Sequence, residues 1–111
     1  MRKSYPLRNW ARESGGECIL GMRVLKTHAC YLIYGELAPA EEGRKICPGS
    51  GHEEILMAVQ GDLQLSEGAE TNLLHEGEAI HLKEEEIVFL ANRGSQKTVY
   101  VVAGGHSGKA H

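Results

Sequence analysis

Short runs of alternating apolar and polar residues fill this chain, and turn-forming pairs interrupt them at intervals of about 8–12 residues. Residues 18–25 put Cys18, Leu20, Met22 and Val24 on one face and Ile19, Gly21, Arg23 and Leu25 on the other, which predicts a strand. Residues 29–37, through Cys30-Tyr31-Leu32-Ile33-Tyr34, are aromatic and β-branched and predict a second. Residues 38–51 lose that continuity and gather Pro39, Gly43, Pro48, Gly49 and Gly51, so a long loop is expected, broken by a short strand around 45–47. From His52 the punctuation is regular: strands are predicted at 52–60, 63–66, 71–75, 78–82, 87–91 and 97–103. Gly61-Asp62 suits a two-residue hairpin turn. Residues 83–86 are good helix formers, but the strand-like Ile87-Val88-Phe89 follows and a solvated turn is preferred. With no long helix, internal repeat or second domain in the pattern, the expected class is all-β, an antiparallel barrel or sandwich spanning 17–103. Residues 1–16 lack sustained period and read as an irregular arm anchored by Tyr5, Leu7 and Trp10, which either caps its own domain or lies across a second subunit. Residues 104–111 read as a flexible tail.

The segment from Gly43 to Asp62 concentrates the chemistry. Its loop supplies Cys47, His52, Glu53 and Glu54, and Ile55-Leu56-Met57-Ala58-Val59 then has the unbroken apolarity of a strand buried on both faces. Alternation puts His52 and Glu54 on one face, about 6.5–7 Å apart along the strand, within reach of one ion or one ligand. Cys47 is near in sequence and soft enough for zinc. His28 and Cys30 form another same-face pair, and His75, His81 and His106 are further candidates that only a fold can bring together. His81, between Ile80 and Leu82, is expected at a surface or an interface. The plainer alternative has Glu54 bonded to loop amides and His52 half exposed.

The same segment resembles the first motif of the cupin superfamily, which reads Gly, five residues, His-x-His, three or four residues, Glu, six residues, Gly. Gly43 fits the first glycine, Glu54 the acidic ligand and Gly61 the closing glycine. The histidines fall on Pro48 and Ser50 at the shorter spacing and on Cys47 and Gly49 at the longer. A second motif resembles the segment from Gly77, with Asn92 at its final asparagine and Val88 where its histidine would stand. The resemblance covers roughly residues 30–103 and implies a small cupin-like jelly-roll barrel whose ligand site lies inside the mouth. With three of four family ligand positions replaced, the expectation is a protein that binds a small polar molecule through Ser50, His52 and Glu54, with Tyr34 and Met57 as pocket walls. A second reading keeps a divalent metal, whether zinc, iron, nickel or manganese, on His52, Glu54 and Cys47, with dioxygenase- or isomerase-like chemistry. A third makes the barrel a scaffold for a regulatory or interaction module. Whether the chain is an enzyme stays open among them.

Composition narrows the partners. At 111 residues folding buries about 65% of the extended-chain surface, yet the chain has only one Phe and one Trp, so a partner chain adding buried area, as in a homodimer, is expected. Twelve basic against fifteen acidic residues give a net charge of −3, and no Lys/Arg cluster interleaves with aromatics, which argues against nucleic acid and anionic membrane. No apolar run approaches bilayer length, and the expected location is cytoplasmic. Cys18, Cys30 and Cys47, odd in number and spaced twelve and seventeen apart, match neither a disulfide framework nor a paired zinc site, so reduced thiols are expected, with Cys18 and Cys30 as core residues.

Overall fold

In the computed structural model, which describes residues 1–107, the strands form two facing antiparallel sheets. In chain order the elements are α1 (Leu7–Arg12), β1 (Glu17–Leu20), α2 (Met22–Leu25), β2 (Cys30–Leu37), β3 (Arg44–Ile46), β4 (His52–Gln60), β5 (Leu63–Glu67), β6 (Glu70–Leu74), β7 (Ala79–Lys83), β8 (Val88–Ala91) and β9 (Thr98–His106). One sheet has the order β1-β2-β9-β4-β7 and the other β3-β8-β5-β6. This is the all-β antiparallel class that the alternating runs predict, in the jelly-roll form that the motif resemblance implies.

β4 alternates in burial and is not the strand buried on both faces that its unbroken apolar run suggests, because only one side of its sheet faces the other sheet. Glu54, Leu56 and Ala58 are buried, while Ile55, Met57 and Val59 are exposed on the opposite face. Across the five-stranded sheet the inward residues stack in rows. Ile33 pairs with Val102, Val102 with Leu56, and Leu56 with Ile80, giving an apolar belt across the interior. From the other sheet Leu63, Leu65, Val88 and Leu90 close on this belt.

Two cross-strand pairs fix the ends of that interior. Tyr31 of β2 lies opposite Gly104 of β9, and Tyr100 of β9 lies opposite Gly35 of β2. A Cβ at Gly104 would come within 2.2 Å of the Tyr31 ring, and one at Gly35 within 2.1 Å of the Tyr100 ring. Each ring therefore lies across a bare stretch of backbone, and its hydroxyl reaches further into the barrel than a paired side chain would allow. The Tyr100 hydroxyl donates to Glu17 and accepts from Arg44 Nη1 at 2.7 Å, while Arg44 also bonds Glu41 at 2.8 Å. This polar nest ties β1, β3 and β9 at one end of the barrel; the Tyr31 end holds the cavity described below.

Three expectations about elements are corrected. Residues 22–25 are a helical turn rather than strand, because β1 and β2 are an antiparallel pair in the register Leu20↔Leu32 and the chain must turn back before Cys30. Lys26, with φ of 60°, completes that reversal. The arm is not irregular throughout: α1 packs on the outer face of β1 and β2, burying Ala11, and the Cys18 thiol donates to the Leu7 carbonyl at 3.2 Å. It covers its own sheet. Residues 104–106, expected in the tail, belong to β9, whose central place requires them to pair with Tyr31, Cys30 and His52. Ser107 follows the strand, its amide donating to the Gly51 carbonyl at 2.9 Å, and residues 108–111 of that tail lie outside the described residues. Among the described residues no helix is long and apolar enough to cross a membrane.

Candidate functional site

A cavity of about 360 Å³ opens where β1, β2 and β4 end, beside the loop that precedes β4. Glu54 and Tyr31 form its polar floor. Alternation with Leu56 turns Glu54 inward, and the pairing of Glu54 with Gly104 on β9 puts it beside the Tyr31 ring that lies over that glycine. The Tyr31 hydroxyl donates to Glu54 Oε2 at 2.5 Å. Glu54 is only 4% exposed, and its other oxygen, Oε1, is buried with no hydrogen-bond partner among the described residues.

The electrostatics follow from this placement. Burial pushes the Glu54 carboxyl above its ordinary range, while the Tyr31 hydroxyl and the neighbouring His52 pull in the other direction without cancelling it. Burial and the adjoining carboxylate push the Tyr31 phenol far up, so it remains a neutral donor. The floor is thus a carboxyl group with one oxygen held by Tyr31 and the other without a partner among the described residues.

Ile19, Met22 and Ile33 give the cavity its apolar wall, and Thr27, His28, Cys30, Cys47 and His52 surround its opening. Three imidazoles run along this rim. The ring of His106 lies 5.8 Å from that of His28 and 5.5 Å from that of His52, and His52 in turn lies 5.9 Å from the Tyr31 ring. His52 Nδ1 is 3.1 Å from the Ser50 carbonyl, which can only accept, so this contact requires the proton on Nδ1 and leaves Nε2 as the acceptor of the neutral ring.

Of the residues expected at the site, His52, Glu54 and Cys47 all line the cavity. Ser50 is exposed in the preceding turn and contributes its carbonyl rather than its hydroxyl. Tyr34 and Met57 do not form its walls. Met57 is three positions from Glu54 and therefore points to the opposite face, 38% exposed. Tyr34 faces outward beneath α1, where its hydroxyl donates to Glu36 at 2.6 Å. The wall tyrosine is Tyr31, which the sequence reading passed over. Cys30, expected in the core, is exposed at the opening, and Cys18 is half buried under α1. His75 pairs with Glu78, and His81 with Glu53 on the outer face, both away from the cavity.

The residues do not fit the metal centre that the motif resemblance implies. No three His, Cys, Asp or Glu residues among those described converge in metal-ligating geometry, so His52, Glu54 and Cys47 share a cavity without forming a ligand set. Val88, at the position of the family's last histidine, is 1% exposed and packed in the apolar core.

Neither a protein-family model nor a curated protein sequence matches the chain. Solved structures do. One is an uncharacterised conserved protein with a double-stranded β-helix domain from Klebsiella pneumoniae, with a TM-score of 0.72 and 14% identity over 97% of this chain and 93% of that one. A second is the Cupin_2 domain of an XRE family transcriptional regulator from Enterobacter cloacae, with a TM-score of 0.67 and 14% identity over 83% of this chain and 98% of that one. A third is a sugar phosphate isomerase of the cupin superfamily from Silicibacter pomeroyi, with a TM-score of 0.64 and 17% identity over 95% of this chain and 68% of that one. Regulator-associated domain and isomerase alike share the architecture, so the likeness fixes the barrel and leaves the activity to the residues inside it. By fold, the chain is a jelly-roll barrel of the kind seen in these cupin structures.

Proposed function

We propose that this chain is a small-molecule-binding cupin whose cavity receives a ligand carrying a hydroxyl or amine donor. The observation that carries the reading is Glu54 Oε1, a buried carboxyl oxygen with no hydrogen-bond partner among the described residues, at the floor of a cavity large enough for a small ligand. Leaving such an atom unpaired costs about 1–3 kcal/mol, and a donor from the ligand removes that cost. Ile19, Met22 and Ile33 supply the apolar contact, so the fitting ligand is amphipathic, with its donor end inward and its apolar flank toward β1 and β2. The broken ligand set favours this over a resident metal ion.

The test is to purify tag-free protein without chelator, denature it, and identify released small molecules and metals by mass spectrometry. A released organic molecule bearing a hydroxyl or amine, with occupancy falling at least about tenfold in Glu54→Gln, supports the reading; the loss of one bond to a charged group is of that size. One tightly held metal ion per chain, or occupancy indifferent to Glu54→Gln, overturns it.

A further inference from the structure

We infer that the ligand of the cavity is a long-chain amphiphile, with its polar head on Glu54 and its apolar chain passing Met22 into a groove beside Trp10; this rests on the binding role proposed above. A second hollow, of about 550 Å³, is lined by Trp10 of α1, Ile19 of β1, and Gly21, Met22, Arg23 and Val24 around α2. Ile19, Gly21 and Met22 line the 360 Å³ cavity as well, so the two hollows share a wall of three residues. Ile19, Met22 and Val24 are exposed by 55%, 45% and 40%, although all three are apolar.

The local fold makes the passage. β1 is the outermost strand of its sheet, so no further strand covers its flank, and α2 buries none of its four residues. At Gly21 a Cβ would come within 3.2 Å of the Tyr31 Cβ, so the glycine leaves the junction open beside the ring that holds Glu54. Head and chain are selected separately. The inner end offers the buried Glu54 Oε1, which answers to one hydroxyl or amine. The outer end offers an apolar lining with Arg23 as its single charged member, where a ligand gains chiefly by leaving water. A small polar molecule would leave the outer groove wet, and a protein seated in the groove would leave the buried oxygen unanswered. An unbranched chain ending in a donor satisfies both, and the shared wall of Ile19, Gly21 and Met22 is what selects it.

The probes are the primary alcohols from butanol to decanol, with affinity read by calorimetry and placement by the emission of Trp10, the only tryptophan of the chain. Each methylene should tighten binding about fourfold where it is fully covered and about twofold in an open groove. The expected result is affinity that rises through decanol, with the emission moving to shorter wavelength as the chain lengthens. Val24→Asp, outside the core and so expected to fold, should weaken decanol about tenfold more than butanol. Glu54→Gln should weaken every alcohol by a similar factor, because it touches the head alone. A plateau beyond butanol, an unmoved emission, or equal weakening of all chain lengths by Val24→Asp overturns the path of the chain and leaves the head on Glu54. Binding indifferent to Glu54→Gln, or no binding by any alcohol, overturns both. Emission that changes when the protein alone is diluted from about 200 to about 1 µM shows a second copy in the groove, and overturns the inference as well.

Discussion

Tyr31→Phe isolates the bond on which the floor of the cavity depends. The substitution removes one oxygen and keeps the ring that lies over Gly104, so packing is preserved and Glu54 Oε2 loses the Tyr31 hydroxyl as its donor. A hydrogen bond to a charged group contributes about 1.5–3 kcal/mol, so the variant should be about 2 kcal/mol less stable at pH 7. For a domain of this size that lowers the melting temperature by roughly 8 °C. Burial already holds the Glu54 carboxyl above its ordinary range and the Tyr31 hydroxyl restrains it, so removing the hydroxyl lets it rise further. A carboxyl raised in the folded state contributes stability when protonated, present below its unfolded value of about 4.3 and lost as pH rises through the folded value. The deficit of the variant should therefore be largest at neutral pH and shrink to about 1 kcal/mol near pH 4, where a neutral hydrogen bond is all that is missing. Urea titrations of both proteins at pH 7, 5.5 and 4 measure this directly. A deficit under about 0.5 kcal/mol at pH 7, or one that does not change with pH, refutes the reasoning.

Other outcomes follow from the same geometry. Gly104→Ala should displace the Tyr31 ring, which lies 2.2 Å from the new methyl position, and destabilise the fold by about 1–3 kcal/mol; an unchanged melting temperature would show that the ring is not held there. Burial alone would raise the Glu36 carboxyl, but hydrogen bonds from Tyr34 and Arg12 and the charges of Lys97 and Arg12 outweigh it and hold the group below its ordinary range. Its stabilisation is thus present above the unfolded carboxylate value and lost as pH falls through the folded one, so Glu36→Gln should cost about 1–2 kcal/mol at pH 7 and progressively less in acid, read from denaturant midpoints. Alkylation followed by peptide mapping should modify Cys30, exposed at the opening, well before Cys18, whose thiol is pushed up by burial under α1; equal rates would contradict the packing of that helix.

Much of the barrel was legible because alternation in β4 and the turn pairs after it are local signals. Glu54 could be turned inward from its spacing to Leu56 and Ala58, and the same parity puts Met57 outside, three positions away, so that misplaced wall residue was correctable from the chain alone. Tyr34 was a different matter. In β2 both faces carry large residues, and the inner one is chosen by pairing with β9, where Gly104 leaves room for the inward ring of Tyr31 and Gly35 of β2 leaves room for that of Tyr100. No single-strand pattern contains that information. The reversal at 22–25 was hidden for a related reason: alternation continued through Leu25, and only the register of β1 on β2 shows that the chain must turn. Val88 in the core and Cys47 beside the cavity show that motif spacing locates positions without supplying the donors.

The strand order has a consequence for how the molecule comes into being. β9 lies between β2 and β4, with β1 and β7 outside them, so the middle of the larger sheet is the stretch that a ribosome releases after the other eight strands of the two sheets. Until it emerges, β2 and β4 have a gap between them, Tyr31 has no glycine to lie across, and Glu54 has no assembled floor to belong to. The nascent chain must therefore keep two open strand flanks away from neighbouring polypeptides until β9 emerges, and the cavity and the finished barrel arrive in the same event.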